Sequence, residues 1–181
     1  MAIKSTIFKA ELAVSDMDRG YYATHELTIA RHPSETDERM MVRVLAFALH
    51  AEEYLEFAKG ISTDHEPTLW RKDFTGAIQD WIDVGLPDEK WLRKACGRST
   101  AVTLYTYGGS AADMWWKQNE SLVARLNNLA VYNVPQETSK ALAKLAERNM
   151  SFSASIQDGA MMFSSDAEMV SVELVAFKTM E

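Results

Sequence analysis

The chain has 181 residues, and its 47% apolar and 25% charged content matches a globular domain with a proper core, not a disordered or membrane protein. The net charge of −7 argues against broad non-specific nucleic-acid binding, which needs clustered Lys and Arg, but leaves room for a small basic mouth on an acidic body. The single cysteine, Cys96, excludes an internal disulfide framework; no apolar run spans a bilayer and no signal-peptide pattern opens the chain, so a soluble cytoplasmic protein is expected.

Ile3 to Val14 alternates and predicts a half-buried strand. Ser15-Asp16-Met17-Asp18-Arg19-Gly20 is turn chemistry, and Tyr21 to Arg31 is the hairpin partner. In HPSETDERM, Ser34 suits an N-cap and acids crowd the first turn, where the helix dipole favours them. The helix is expected to run to Ala58, with Gly60 just past its end. Its wide apolar rows predict packing against a sheet. Glu53 continues the row Val42, Ala46, Leu49, so it either approaches that sheet or is a solvated helix-end acid.

The stretch LWRKDFTGAIQDWIDVGLPDEKWLRKAC, Leu69 to Cys96, reads as a strand, a turn centred on Thr75-Gly76, a second strand and a helix from Pro87 to Cys96. Pro87 suits the first helical position and Gly97 the C-terminal cap. A strand (Thr100 to Tyr107), a helix (Ser110 to Arg125), a strand (Leu129 to Val134) and a helix (Gln136 to Arg148) follow. Ser151 to Lys178 reads as strands separated by Gln157-Asp158-Gly159 and Ser164-Ser165-Asp166. The pattern predicts an α/β fold: a mixed sheet with helices packed on it and antiparallel strands added from both termini. No linker interrupts the chain, so residues 1–181 are expected to form a single domain.

No phosphate loop, dinucleotide fingerprint or Gly-x-Ser-x-Gly elbow is present, and His25, His32, His50 and His65 lack zinc spacing. Gly108-Gly109-Ser110 is either an anion-receiving helix start or a plain turn. Asp83 is the sharpest residue, because in AIQDWIDVG it shares a strand face with Trp81, whose bulk implies a covered face. A covered carboxylate needs a partner or a metal; the alternatives are a cap on the next helix or an arginine pair. A tight hairpin pairs Asp73 with about Gln79 and Asp83 with about Leu69, which separates the two aspartates by roughly 13 Å. Glu66 lies closer to Asp83 on that register, and Asp73 also reads as a turn residue. Arg93 and Lys94 either complement the dipole of their helix or reach over the sheet to Asp83. The five tryptophans invite stacking on bases, or packing.

The runs FKAELAVSDMDRGYYATHELTIARHPSETDERMMVRVLAFAL, LWRKDFTGAIQDWIDVGLPDE, RKAC and YGGSAADMWW resemble the YaeQ family of bacterial proteins over essentially the whole length. The resemblance implies a variant of the restriction-endonuclease-like PD-(D/E)XK core. On that core Asp83 matches the acid of the acid-x-Lys unit, while the lysine position holds Gly85, so Lys94 is the displaced substitute. Pro67 is followed by Thr68, which leaves Asp73 or Glu66 as the second carboxylate, and Glu53 matches the accessory helix acid. Two functions are expected. One is a Mg²⁺-dependent phosphodiesterase acting on nucleic acid, with Asp83 and either Asp73 or Glu66 holding the ion and Lys94 stabilising the developing charge. The other is a non-catalytic module that reuses the scaffold to bind nucleic acid or another protein. Neither involves a membrane.

Overall fold

The structure, a computed structural model, describes residues 4–180. In chain order the elements are β1 (Thr6–Asp16), β2 (Tyr21–Arg31), α1 (Asp37–His50), β3 (Leu55–Phe57), β4 (Leu69–Lys72), β5 (Ile78–Val84), α2 (Glu89–Arg98), β6 (Ser99–Thr106), α3 (Ser110–Val123), β7 (Leu129–Asn133), α4 (Gln136–Ala143), β8 (Asn149–Gln157), β9 (Ala160–Ser164), β10 (Met169–Val172) and β11 (Val175–Lys178). They form a mixed α/β protein with two mixed sheets. Ile3, where the sequence would start the first strand, lies outside the described residues. Among the described residues no helix is long and apolar enough to cross a membrane.

The chain divides into two compact units. Residues 1–52 and 137–173 carry a five-stranded sheet of order β10-β9-β8-β1-β2. β1 and β2 pair antiparallel along their whole length, from Thr6↔Arg31 to Asp16↔Tyr21, as the alternation and the turn residues between them demand. β8 lies parallel to β1 and alternates strictly, with Met150, Phe152, Ala154 and Ile156 buried and the serines between them exposed. α1 is capped by Thr36, whose side chain accepts from the Arg39 N–H at 3.1 Å, while Ser34 bonds His32 instead. The helix stops at His50 rather than Ala58, because Ala51 turns extended and Leu55–Phe57 leave to pair with β4. Sheet pairing has overridden the helical period there. Glu35 is buried in this unit and held at 2.5 Å by both Arg39 and Arg43.

Residues 53–136 and 174–181 carry a six-stranded sheet of order β11-β7-β6-β5-β4-β3. β5, β6 and β7 run parallel, joined by crossovers through α2 and α3, and the remaining pairs are antiparallel. Trp81, Leu92, Ala95, Val102, Leu104, Trp115, Leu129 and Val131 form the core of this unit. α2 begins at Glu89, not Pro87: the Asp88 carboxylate accepts from the Trp91 N–H at 2.8 Å and sets the start, and Gly97 lies inside the last turn.

Candidate functional site

Asp83 stands near the C-terminal end of β5, on the face that α2 covers. The β4–β5 hairpin pairs Leu69 with Ile82 and Trp70 with Trp81, which brings Thr68 alongside Asp83. The register is therefore one residue away from the one expected, which set Leu69 opposite Asp83. An irregularity between Arg71 and Lys72 absorbs one residue of β5. Ile78, next to this irregularity, packs against the cluster around Trp81.

The carboxylate is buried and fully engaged. Oδ1 accepts from the Thr68 backbone N–H at 3.0 Å and the Thr68 hydroxyl at 3.3 Å, and Oδ2 accepts from the indole N–H groups of Trp81 at 2.6 Å and Trp91 at 2.7 Å. The two indoles meet edge to face, with ring centroids 5.8 Å apart. Trp81 and Thr68 are themselves buried, and the neighbouring backbone is pinned by Ala58 N–H to Thr68 O and Gly60 N–H to Pro67 O, each at 3.0 Å. Burial pushes the Asp83 carboxyl above the ordinary aspartate range, and the four donors pull it back without cancelling the shift.

The other candidate residues lie in local roles of their own. Asp73 is exposed at the hairpin turn, where it accepts from Thr75 N–H and hydroxyl, Ala77 N–H and the Gln79 amide; the Thr75 hydroxyl is the main cause holding its carboxyl below the usual range. Glu66 accepts from the Lys59 N–H at 3.2 Å. Glu53 sits exposed in the turn between α1 and β3, not on a helix. Lys94 donates to the Asp64 carbonyl at 2.6 Å, with its Nζ 3.3 Å from His65 Nδ1, and Arg93 pairs with Glu89 at 2.9 Å. None of these contacts joins Asp73, Glu66, Glu53 or Lys94 to Asp83. Among the described residues no three His, Cys, Asp or Glu side chains stand as a metal-holding group. A carboxylate offers about four lone-pair sites, and at Asp83 all of them already face donors, so these residues do not fit a Mg²⁺ ion.

Thr68 and Trp91, both missed as functional residues, complete this arrangement. Their signals were the Pro67-Thr68 pair just before β4 and an aromatic in the first turn of the following helix. Gly109 caps α3 at φ 64°, and the side chain of Gln136 lies so close that a Cβ on Gly109 would meet its Oε1 at 2.8 Å.

Known proteins match over nearly the whole chain. The family model described as YaeQ protein matches residues 1–174. The chain is 42% identical over 178 residues to "Uncharacterized protein YaeQ" of Escherichia coli (strain K12), covering 98% of each, and 41% identical over the same length to the protein of that name from Salmonella typhi. The crystal structure of the YaeQ protein from Xanthomonas axonopodis pv. citri superposes with a TM-score of 0.92 at 49% identity, over 95% of this chain and 97% of that one. The YaeQ protein from Pseudomonas syringae gives 0.93 at 36% identity, over 97% of both chains.

Proposed function

The chain belongs to the YaeQ family, and from that premise we propose that it works by binding, on a variant PD-(D/E)XK scaffold whose hydrolytic position serves as a structural anchor. The order that supports the scaffold is the β4–β5 hairpin, the α2 crossover and parallel β6. The observation that carries the binding reading is the engagement of both Asp83 oxygens by Thr68, Trp81 and Trp91. Where the nuclease pattern has a second acid after proline, Thr68 supplies two donors to Asp83. Where it has a lysine, Gly85 has φ 119°, a conformation that L side chains rarely adopt. A donor set has taken the place of an acid pair and its cation.

The test is a cleavage assay of single- and double-stranded DNA and RNA with millimolar Mg²⁺ or Mn²⁺, run beside calorimetric titration of each metal. The expected result is no cleavage and no metal binding that Asp83→Asn alters. Cleavage that Asp83→Asn abolishes, with the variant still folded, would overturn the proposal in favour of a metal-dependent phosphodiesterase.

A further inference from the structure

The second unit also holds an open cavity of about 520 Å³, between the segment leading into β4, the β4–β5 turn and the C-terminal end of α2. Its walls include His65, Glu66, Trp70, Lys72, Ile78 and Arg98. Asp83 is not among them. Lys72 holds its ammonium 3.8 Å from the centre of the Trp70 ring, and Trp70 is fixed in turn by donating its indole N–H to Glu56 at 3.0 Å. Arg98, in the last turn of α2, is exposed. Among the described residues neither Lys72 nor Arg98 has an acidic partner. Lys94 adds a third positive charge behind the wall, 3.3 Å from His65 Nδ1. Among the described residues of the wall the acid is Glu66, whose Oε1 accepts from the Lys59 N–H at 3.2 Å.

Two cations from separate elements, neither in an ion pair among the described residues, line this cavity on a protein whose net charge is −7. Such a local field concentrates small anions while the rest of the surface repels extended polyanions. An ammonium and a guanidinium fork suit a doubly charged phosphate with several acceptor oxygens. The volume falls within the usual range for small-molecule sites, roughly 300–1,000 Å³. A carboxylate beside the cations suits a neighbouring hydroxyl. We propose that this cavity binds a phosphomonoester, its phosphate held between Lys72 and Arg98 and a hydroxyl of its alcohol part donated to Glu66. The proposal rests on the reading of the chain as a binding module and names the ligand chemistry of that module.

The test is calorimetric titration of the full chain with inorganic phosphate, ribose 5-phosphate, a 5′-phosphorylated hexanucleotide and the same hexanucleotide without its phosphate. Saturable binding of ribose 5-phosphate or of the phosphorylated strand is expected, weakened at least about tenfold by Lys72→Gln and by Arg98→Gln, each of which loses a hydrogen bond to a charged group. Both residues are exposed, so the variants should fold, and Glu66→Gln gives an independent arm. Removing its repulsion should tighten inorganic phosphate about fivefold, the worth of one charge pair at ~4 Å in water. Preference for the phosphorylated strand over ribose 5-phosphate would make the ligand a strand end, and equal affinity would make it a free monoester. Both outcomes support the site. No saturable binding at millimolar concentration, affinities unchanged in both cation variants, or equal binding of the two hexanucleotides would overturn it. Failure of the underlying binding reading would show separately, as Mg²⁺-dependent cleavage of the hexanucleotide on a gel.

Discussion

Asp83→Asn separates a structural carboxylate from a catalytic one through stability alone. The amide keeps the shape of the carboxylate but turns one acceptor atom into a donor. Its best orientation leaves the oxygen on the two indoles and sets the NH₂ against Thr68, whose hydroxyl can rotate to accept. The Thr68 backbone N–H, now 3.0 Å from an NH₂, has no acceptor. An unsatisfied buried donor costs about 1–3 kcal/mol. At about 2–4 °C per kcal/mol for a chain of this length, a loss of about 2 kcal/mol lowers the melting temperature by roughly 4–8 °C. Asp83→Leu orphans the Thr68 N–H and both indole N–H groups, so it should cost more, about 3 kcal/mol or above. Thermal melts followed by circular dichroism, with urea titrations for the free energies, give the comparison. An acid kept for metal binding, without such donors of its own, behaves in the opposite way, because neutralising it relieves its desolvation and leaves no donor unsatisfied. A melting temperature that rises in Asp83→Asn, or an Asp83→Leu variant more stable than Asp83→Asn, would refute the reasoning.

The raised pKa of Asp83 gives the comparison a pH dependence. The folded state holds the proton to higher pH than the unfolded chain does, so this group's contribution is fully present below the ordinary aspartate pKa and declines as pH rises through the folded value. The advantage of wild type over Asp83→Asn should therefore be largest near pH 4 and narrow toward neutrality, as melts across that range will show. Glu35→Ala removes the buried carboxylate that Arg39 and Arg43 share and should cost about 3–5 kcal/mol by urea unfolding. The Cys96 thiol is pushed up to about 11, chiefly by burial, against the opposing charge of Lys178. Its reaction with a thiol-specific disulfide reagent at pH 8 should be far slower than that of free cysteine and recover in denaturant.

Much of the fold is legible because its signals are local. Alternation and the Ser15–Gly20 turn determine the β1–β2 hairpin, and Thr75-Gly76 marks the turn between β4 and β5. The errors occur where two signals compete or a distant partner decides. Pro87 and Asp88 both announce the start of α2, and the carboxylate that reaches the Trp91 N–H sets it. Tyr54 and Leu55 continue the apolar period of α1, yet pairing with β4 draws Leu55 into a strand. Glu35 reads as a dipole-matching acid, and only the packed unit shows it buried between two arginines, one of them four residues on along the helix. At the candidate site, the covered face beside Trp81 was readable from alternation. The donors from Thr68 and Trp91 were not, since both depend on how the hairpin registers and where α2 lands.

On the proposed PD-(D/E)XK scaffold, a threonine at position 68 where the pattern has an acid changes the chemistry more than its size suggests. Two ionised carboxylates on adjacent strands repel each other, so such a pair is relieved by a cation or a shared proton. A threonine beside one carboxylate is satisfied without a cation, because its N–H and hydroxyl both point at Oδ1. The two indole N–H groups then occupy Oδ2. Restoring an acid by Thr68→Asp would not recreate a metal centre. Trp81 and Trp91 would still occupy the oxygen that the ion needs, and position 85 would still have a backbone at φ 119° that disfavours a lysine. In the binding reading, what this sheet offers a ligand lies away from Asp83, in the cavity lined by Lys72, Arg98 and Glu66.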